Sequence, residues 1–182
     1  VAYQGSKSIK LSGTNIQAFA EIPSMTKLII ETYDRDANSG DSLIHRVYDS
    51  STYARLLDWG YPSSGYIGYI DSGGYHASSV AYDVNVWYPI KVIVDTETDT
   101  FSAYRGDEVI CENKTLENAL NDIVKIGFNT PGGSSVTIWW DLVRVRKYAS
   151  PEPSIASIGE EQVITSTDSQ GNYSYVFKAP LE

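Results

Sequence analysis

Short stretches in which apolar and polar residues alternate, each closed by Gly, Pro, Ser, Asn or Asp, follow one another from Ser8 to Tyr148. A period of two marks a strand with one buried face, and nothing here sustains the period of a helix. The strands read from this pattern are Ser8–Leu11, Gln17–Glu21, Lys27–Tyr33, Ser42–Asp49, Ala54–Trp59, Tyr66–Ile70, Ser79–Val84, Trp87–Asp95, Phe101–Arg105, Glu108–Glu112, Ile123–Asn129 and Val136–Tyr148. Twelve short strands in about 150 residues make an antiparallel sandwich or barrel. The single helical expectation is a turn or two over Leu116–Asp122, introduced by Thr115.

The most regular portion runs from Trp87 to Ile110. Ile90, Val92 and Val94 share a face, Thr96–Asp99 turns the chain, Phe101 and Ala103 return on the same side, and Gly106-Asp107 turns it again. Pro89 belongs at the start of its strand or on an edge, where a missing N–H does least harm. Trp87, at the head of this meander, is expected in the core.

The last strand, V-T-I-W-W-D-L-V-R-V-R-K-Y, puts Thr137, Trp139, Asp141, Val143 and Val145 on one face. Val136, Ile138, Trp140, Leu142, Arg144 and Arg146 fall on the other, which ends in two arginines and is therefore expected to be wet. The first face is then the core face, with Asp141 embedded in it. An unpaired carboxylate taken out of water costs several kcal/mol or more. Asp141 accordingly needs backbone N–H donors, a basic side chain or a metal ion.

The 182 residues suffice for one domain with a real core, here residues 1–150, and an extension. A net charge of −9, with no Lys/Arg cluster to neutralise phosphates, argues against nucleic acid as a partner. No apolar run approaches the roughly 20 residues of a membrane-spanning helix. A lone cysteine, Cys111, excludes an intrachain disulfide and a thiolate metal cluster, and within V-I-C-E it reads as a buried, inert thiol. The chain opens on V-A-Y-Q-G-S without an initiator methionine, as a piece of a longer protein would. Residues 151–182 begin with a Pro-rich link and continue as a hairpin around Gln162–Ser166 and Asn172–Phe177. A lone hairpin is marginal in water, so this one is expected to dock on the sandwich, open a following domain or pair with a neighbouring chain.

Three stretches resemble concanavalin A-like, laminin-G-like jelly rolls of the kind repeated in large secreted surface proteins of bacteria and archaea. Tyr3-Gln4-Gly5-Ser6-Lys7-Ser8-Ile9-Lys10-Leu11 resembles their opening strand, Trp87 to Gly106 their "W-Y…D-x-x-T-x-T-F-S-x-Y-x-G" meander, and Trp139 to Tyr148 their closing strand. Together they frame residues 1 to about 150 and imply an all-β jelly-roll sandwich, secreted or at the cell surface. The tail piece T-D-S-Q-G-N-Y-S-Y-V-F-K-A-P resembles immunoglobulin-like repeats, which implies neighbouring domains in the same longer chain. In carbohydrate-binding relatives the closing-strand Asp often helps hold a structural calcium ion, so the resemblance implies calcium at Asp141 with carbonyls around Gly5–Ser8. Calcium takes about six to eight oxygens, which Asp141 alone cannot supply.

A glycan is gripped by flat aromatic faces and by carboxylate, amide and guanidinium groups. The unmatched middle segment is rich in them: Arg46, Tyr48, Tyr53, Arg55, Asp58, Trp59, Tyr61, Tyr66, Tyr69, Tyr75, His76 and Tyr82. Arg55 and Trp59 share strand parity, as do Arg46 and Tyr48. The binding residues expected are Trp59 and Arg55 first, then Tyr61, Tyr66, Tyr48, Arg46 and Asp58. Asp34-Arg35-Asp36-Ala37-Asn38-Ser39-Gly40-Asp41 superficially resembles a calcium loop, but Ser39 displaces the glycine and the closing Glu is missing, so a plain turn is expected.

Enzymes similar to laminarinases on this fold carry E-x-D-x-x-E, which sets two carboxylates about 5–5.5 Å apart on one side of a strand. That spacing does not occur here, and two histidines with no G-x-S-x-G leave no triad to assemble. The expected function is a non-catalytic carbohydrate-binding module of a larger extracellular protein, with a polysaccharide or glycan as partner. The alternative is a structural or adhesive surface module acting through protein–protein or strand-exchange assembly, ahead of a glycoside hydrolase or lyase.

Overall fold

All twelve strands form. They are β1 (Ile9–Gly13), β2 (Gln17–Met25), β3 (Lys27–Asp36), β4 (Leu43–Tyr48), β5 (Tyr53–Trp59), β6 (Tyr66–Asp71), β7 (Gly74–Ala81), β8 (Trp87–Asp95), β9 (Thr100–Arg105), β10 (Glu108–Thr115), β11 (Ile123–Asn129) and β12 (Val136–Lys147). The computed structural model describes residues 2–5, 7–37, 43–59, 65–130 and 136–149. The chain divides into two units, Val1–Tyr148 and Ala149–Glu182, and the hairpin expected at 162–177 lies outside the described residues.

Two six-stranded antiparallel sheets result, ordered β1-β12-β3-β8-β9-β10 and β2-β11-β4-β5-β6-β7. Alternation decides what lies between them. Leu28 and Ile30 of β3, Ile90, Val92 and Val94 of β8, and Phe101 and Ala103 of β9 are buried on the inner side of the first sheet. Val47, Leu56, Trp59, Ile67, Ile126 and Phe128 of the second sheet belong to the same core. The meander from β8 to β10 follows its sequence pattern, with Asp99 and Gly106 taking the positive φ of their turns. Pro89 is the third residue of β8, beyond the point where β9 begins to pair. Among the described residues no helix is long and apolar enough to cross a membrane.

The closing strand corrects the reading of its faces. Val136, Ile138 and Trp140 are buried, and Thr137 and Trp139 lie outside. Past Asp141 the sides exchange, and Val143 and Val145 pack on the core while Arg144 is exposed. The cause is a β-bulge: Asp141 pairs with Tyr33 and Arg144 with Glu31, three steps on β12 against two on β3. Leu142 takes φ 48° to accommodate it. One extra residue reverses every side chain that follows.

Other departures have local causes. Residues Leu116–Asp122 form no helix; Leu116 and Leu120 are sunk into the core, Asn118 donates to the Tyr53 carbonyl and Glu117 is tied to Arg55. Trp87 is half-buried, opposite Arg35 and edge-on to Tyr3, not a core residue. Strand β7 starts earlier than expected, because Asp71 Oδ1 accepts the Gly73 N–H and closes a tight hairpin. Asp34 and Asp36, expected in a turn, are buried on the inner side of β3, and 38–41 lie outside the described residues.

Candidate functional site

The outer face of the second sheet carries two rows of polar and aromatic side chains. Across β2, β11, β4 and β5, Glu21, Lys125, Tyr48 and Tyr53 stand in one row, and Phe19, Gly127, Arg46 and Arg55 in the next. The β4–β5 hairpin that carries four of these is pinned by Asp49, whose Oδ1 accepts the N–H groups of Ser51 and Thr52 at 2.7 and 2.6 Å. Those bonds hold the Asp49 carboxyl below the usual carboxylate range, Thr52 first.

Within the face, charge rests on rings. The Arg46 guanidinium lies over Tyr53, 4.8 Å from the centroid, and the Lys125 ammonium lies between Phe19 and Tyr48 at 5.0 and 4.8 Å. Tyr48 and Tyr53 approach to 5.7 Å, and the Tyr48 ring spreads over Gly127, where a Cβ would come within 2.8 Å of it. Gly127 is thus required by a close approach. Phe19 is 62% exposed and Tyr53 39%, so both rings face solvent. Arg55 grips Glu117 with Nη2 at 2.5 Å and Nε at 3.1 Å. Burial works to raise the Glu117 carboxyl, but the Arg55 bonds outweigh it and hold that carboxyl below its usual range.

Of the residues expected from sequence, Arg46, Tyr48 and Arg55 meet on this face. Trp59 does not. It is fully buried, 5.0 Å from Tyr82 and 6.0 Å from Tyr88, and cannot offer a ring to a ligand. The shared parity with Arg55 fails because β5 also carries a bulge: Ile44 pairs with Asp58 and Arg46 with Arg55, two steps on β4 against three on β5. Asp58 is buried at 6% exposure, in register with Ile44 and Gly68. Tyr66 is exposed on β6, beyond the two rows, and Tyr61 lies outside the described residues. Sequence reasoning missed Phe19, Glu21, Lys125 and Glu117. The first three sit on strands from opposite ends of the domain, and only the non-local β2-β11-β4 order joins them to the central hairpins.

Asp141, also expected as a site residue, has its oxygens met by amides. Its Oδ2 accepts the N–H groups of Tyr3 and Gln4 at 2.8 and 3.0 Å, and its Oδ1 that of Leu142 at 2.7 Å. The Gln4 amide, against the effect of burial and with the help of Leu142 and Tyr3, holds the carboxyl below the usual range. Three backbone amides thus satisfy the carboxylate, one of the kinds of partner its setting requires.

No family model and no curated protein matches this sequence. Several solved structures match its fold. A sialidase superposes with a TM-score of 0.64 at 10% identity, over 77% of this chain and 15% of its own. The β-glucanase of Bacillus licheniformis gives 0.55 at 12%, over 78% and 79%. A tetrameric galectin from the ball sponge Cinachyrella sp. gives 0.51 at 8%, over 74% and 100%. The chain therefore spans a small part of the sialidase and most or all of the other two. The fold is a concanavalin A-like jelly-roll sandwich, as the resemblance of its opening, meander and closing strands implied.

Proposed function

We propose that this domain is a non-catalytic carbohydrate-binding module of a longer secreted or cell-surface protein, and that it takes its glycan on the outer face of β2, β11, β4 and β5. The observation that supports this is the juxtaposition on one sheet of the exposed Phe19 and Tyr53 rings with Arg46, Lys125 and the Arg55–Glu117 pair. Exposed rings stack on the apolar faces of sugars, and cations and carboxylates beside them bond the hydroxyls. The likeness to solved structures carries the fold alone, so the reading rests on this face.

A glycan array probed with the whole chain, and with Phe19→Ala and Tyr53→Ala, tests it. The wild-type chain should bind a defined set of glycans, and each variant should lose about tenfold or more in affinity with its Tm unchanged. Absence of binding across the array would remove the reading and return the domain to a structural or adhesive role.

A further inference from the structure

We infer that the glycan taken by this face is acidic, with a carboxylate or sulfate held by the Arg46 guanidinium; the inference rests on the carbohydrate-binding reading above. Arg46 and Arg55 stand directly opposite each other in the β4–β5 register. Like charges so placed weaken a sheet pair unless something answers both. Arg55 is answered by Glu117 through three contacts of 3.1 Å or less. Arg46 has no ion pair of its own among the described residues: its charge also acts on the Glu117 carboxyl, but the close contacts of that carboxylate go to Arg55, and the Arg46 Nε is buried without a hydrogen-bond acceptor. Its guanidinium is instead steadied against the Tyr53 ring. A guanidinium held against a ring keeps donors at its edge for the two parallel bonds that a carboxylate or sulfate accepts.

The neighbouring row repeats the arrangement. Glu21 stands opposite Lys125, yet the two form no ion pair, and the ammonium lies over Phe19 and Tyr48. Glu117 is engaged by Arg55, so an acidic group on the ligand would give Arg46 the ion pair it lacks, which a neutral sugar cannot do. The chain as a whole carries −9, so no general attraction brings a polyanion to it. Preference for an acidic glycan has to come from these few side chains.

The test uses the whole chain and matched pairs of probes: polygalacturonate against its full methyl ester, sialyllactose against lactose, and dextran sulfate against dextran. The first two pairs report on carboxylates and the third on sulfate. At least one acidic probe should bind about tenfold or more tighter than its neutral partner. Arg46→Gln should abolish that preference without lowering Tm, since Arg46 has no ion pair of its own to lose among the described residues. Lys91→Gln, on the first sheet, should leave the preference intact. Glycan binding that ignores the acidic group and survives Arg46→Gln would overturn the acidic ligand and leave the carbohydrate module standing. Binding to no probe and no array glycan would overturn both.

Discussion

Asp34 and His45 meet at 2.6 Å between the two sheets, the carboxylate fully buried and the imidazole 1% exposed. The pair joins β3 of one sheet to β4 of the other, and Phe128 packs against the imidazole with ring centroids 5.2 Å apart. Removing one member leaves the other buried without its partner. Asp34→Leu and His45→Leu should each cost about 3–5 kcal/mol in urea unfolding, and the double variant should recover most of the loss. Equal and additive losses would show that the two side chains do not act as a pair.

Trp59→Ala should also cost about 3–5 kcal/mol, because it empties a fully buried site beside Tyr82 and Tyr88. Any loss of glycan binding in that variant should follow the loss of folded protein. A well-folded Trp59→Ala that binds nothing would restore Trp59 to the site.

Asp141 predicts a pH dependence. Its folded pKa lies below the ordinary carboxylate value, so its three amide bonds contribute stability that is present above that value and lost as pH falls through the depressed one. The wild-type Tm should fall below about pH 4, and more steeply than that of Asp141→Asn. At neutral pH the Asn variant should be less stable by about 1–3 kcal/mol, since its amide NH₂ confronts donors where an acceptor is needed. A chelator should leave the wild-type Tm unchanged.

Burial pushes the Cys111 thiol up to about 12. The native protein should therefore resist thiol reagents at pH 8, and one thiol should react once the chain is unfolded. Fast labelling of the native protein would contradict the buried setting.

The strand pattern was legible because it is local: two-residue alternation between turn residues placed all twelve strands, two of them, Trp87–Asp95 and Ile123–Asn129, to the residue. What misled was also local. One extra residue in β12 and one in β5 carry no signature in composition, and each reversed the faces assigned on one side of it. Trp59 was thereby placed outside and Trp140 left off the core face. Arg46 and Tyr48 were assigned together correctly because they lie on one side of the register shift. Phe19 and Lys125 were unreachable for another reason. Their strands join the face through non-local pairings, Phe19 opposite Gly127 and Lys125 opposite Tyr48, which alternation cannot report.

The most direct test of the central claim is a ¹H–¹⁵N NMR titration of the whole chain with a glycan identified by the array. Shifted amides should cluster on Phe19, Glu21, Arg46, Tyr48, Tyr53, Arg55, Lys125 and Gly127. Shifts gathered instead around Tyr3, Trp87 and Trp139 on the first sheet, with this face silent, would contradict it.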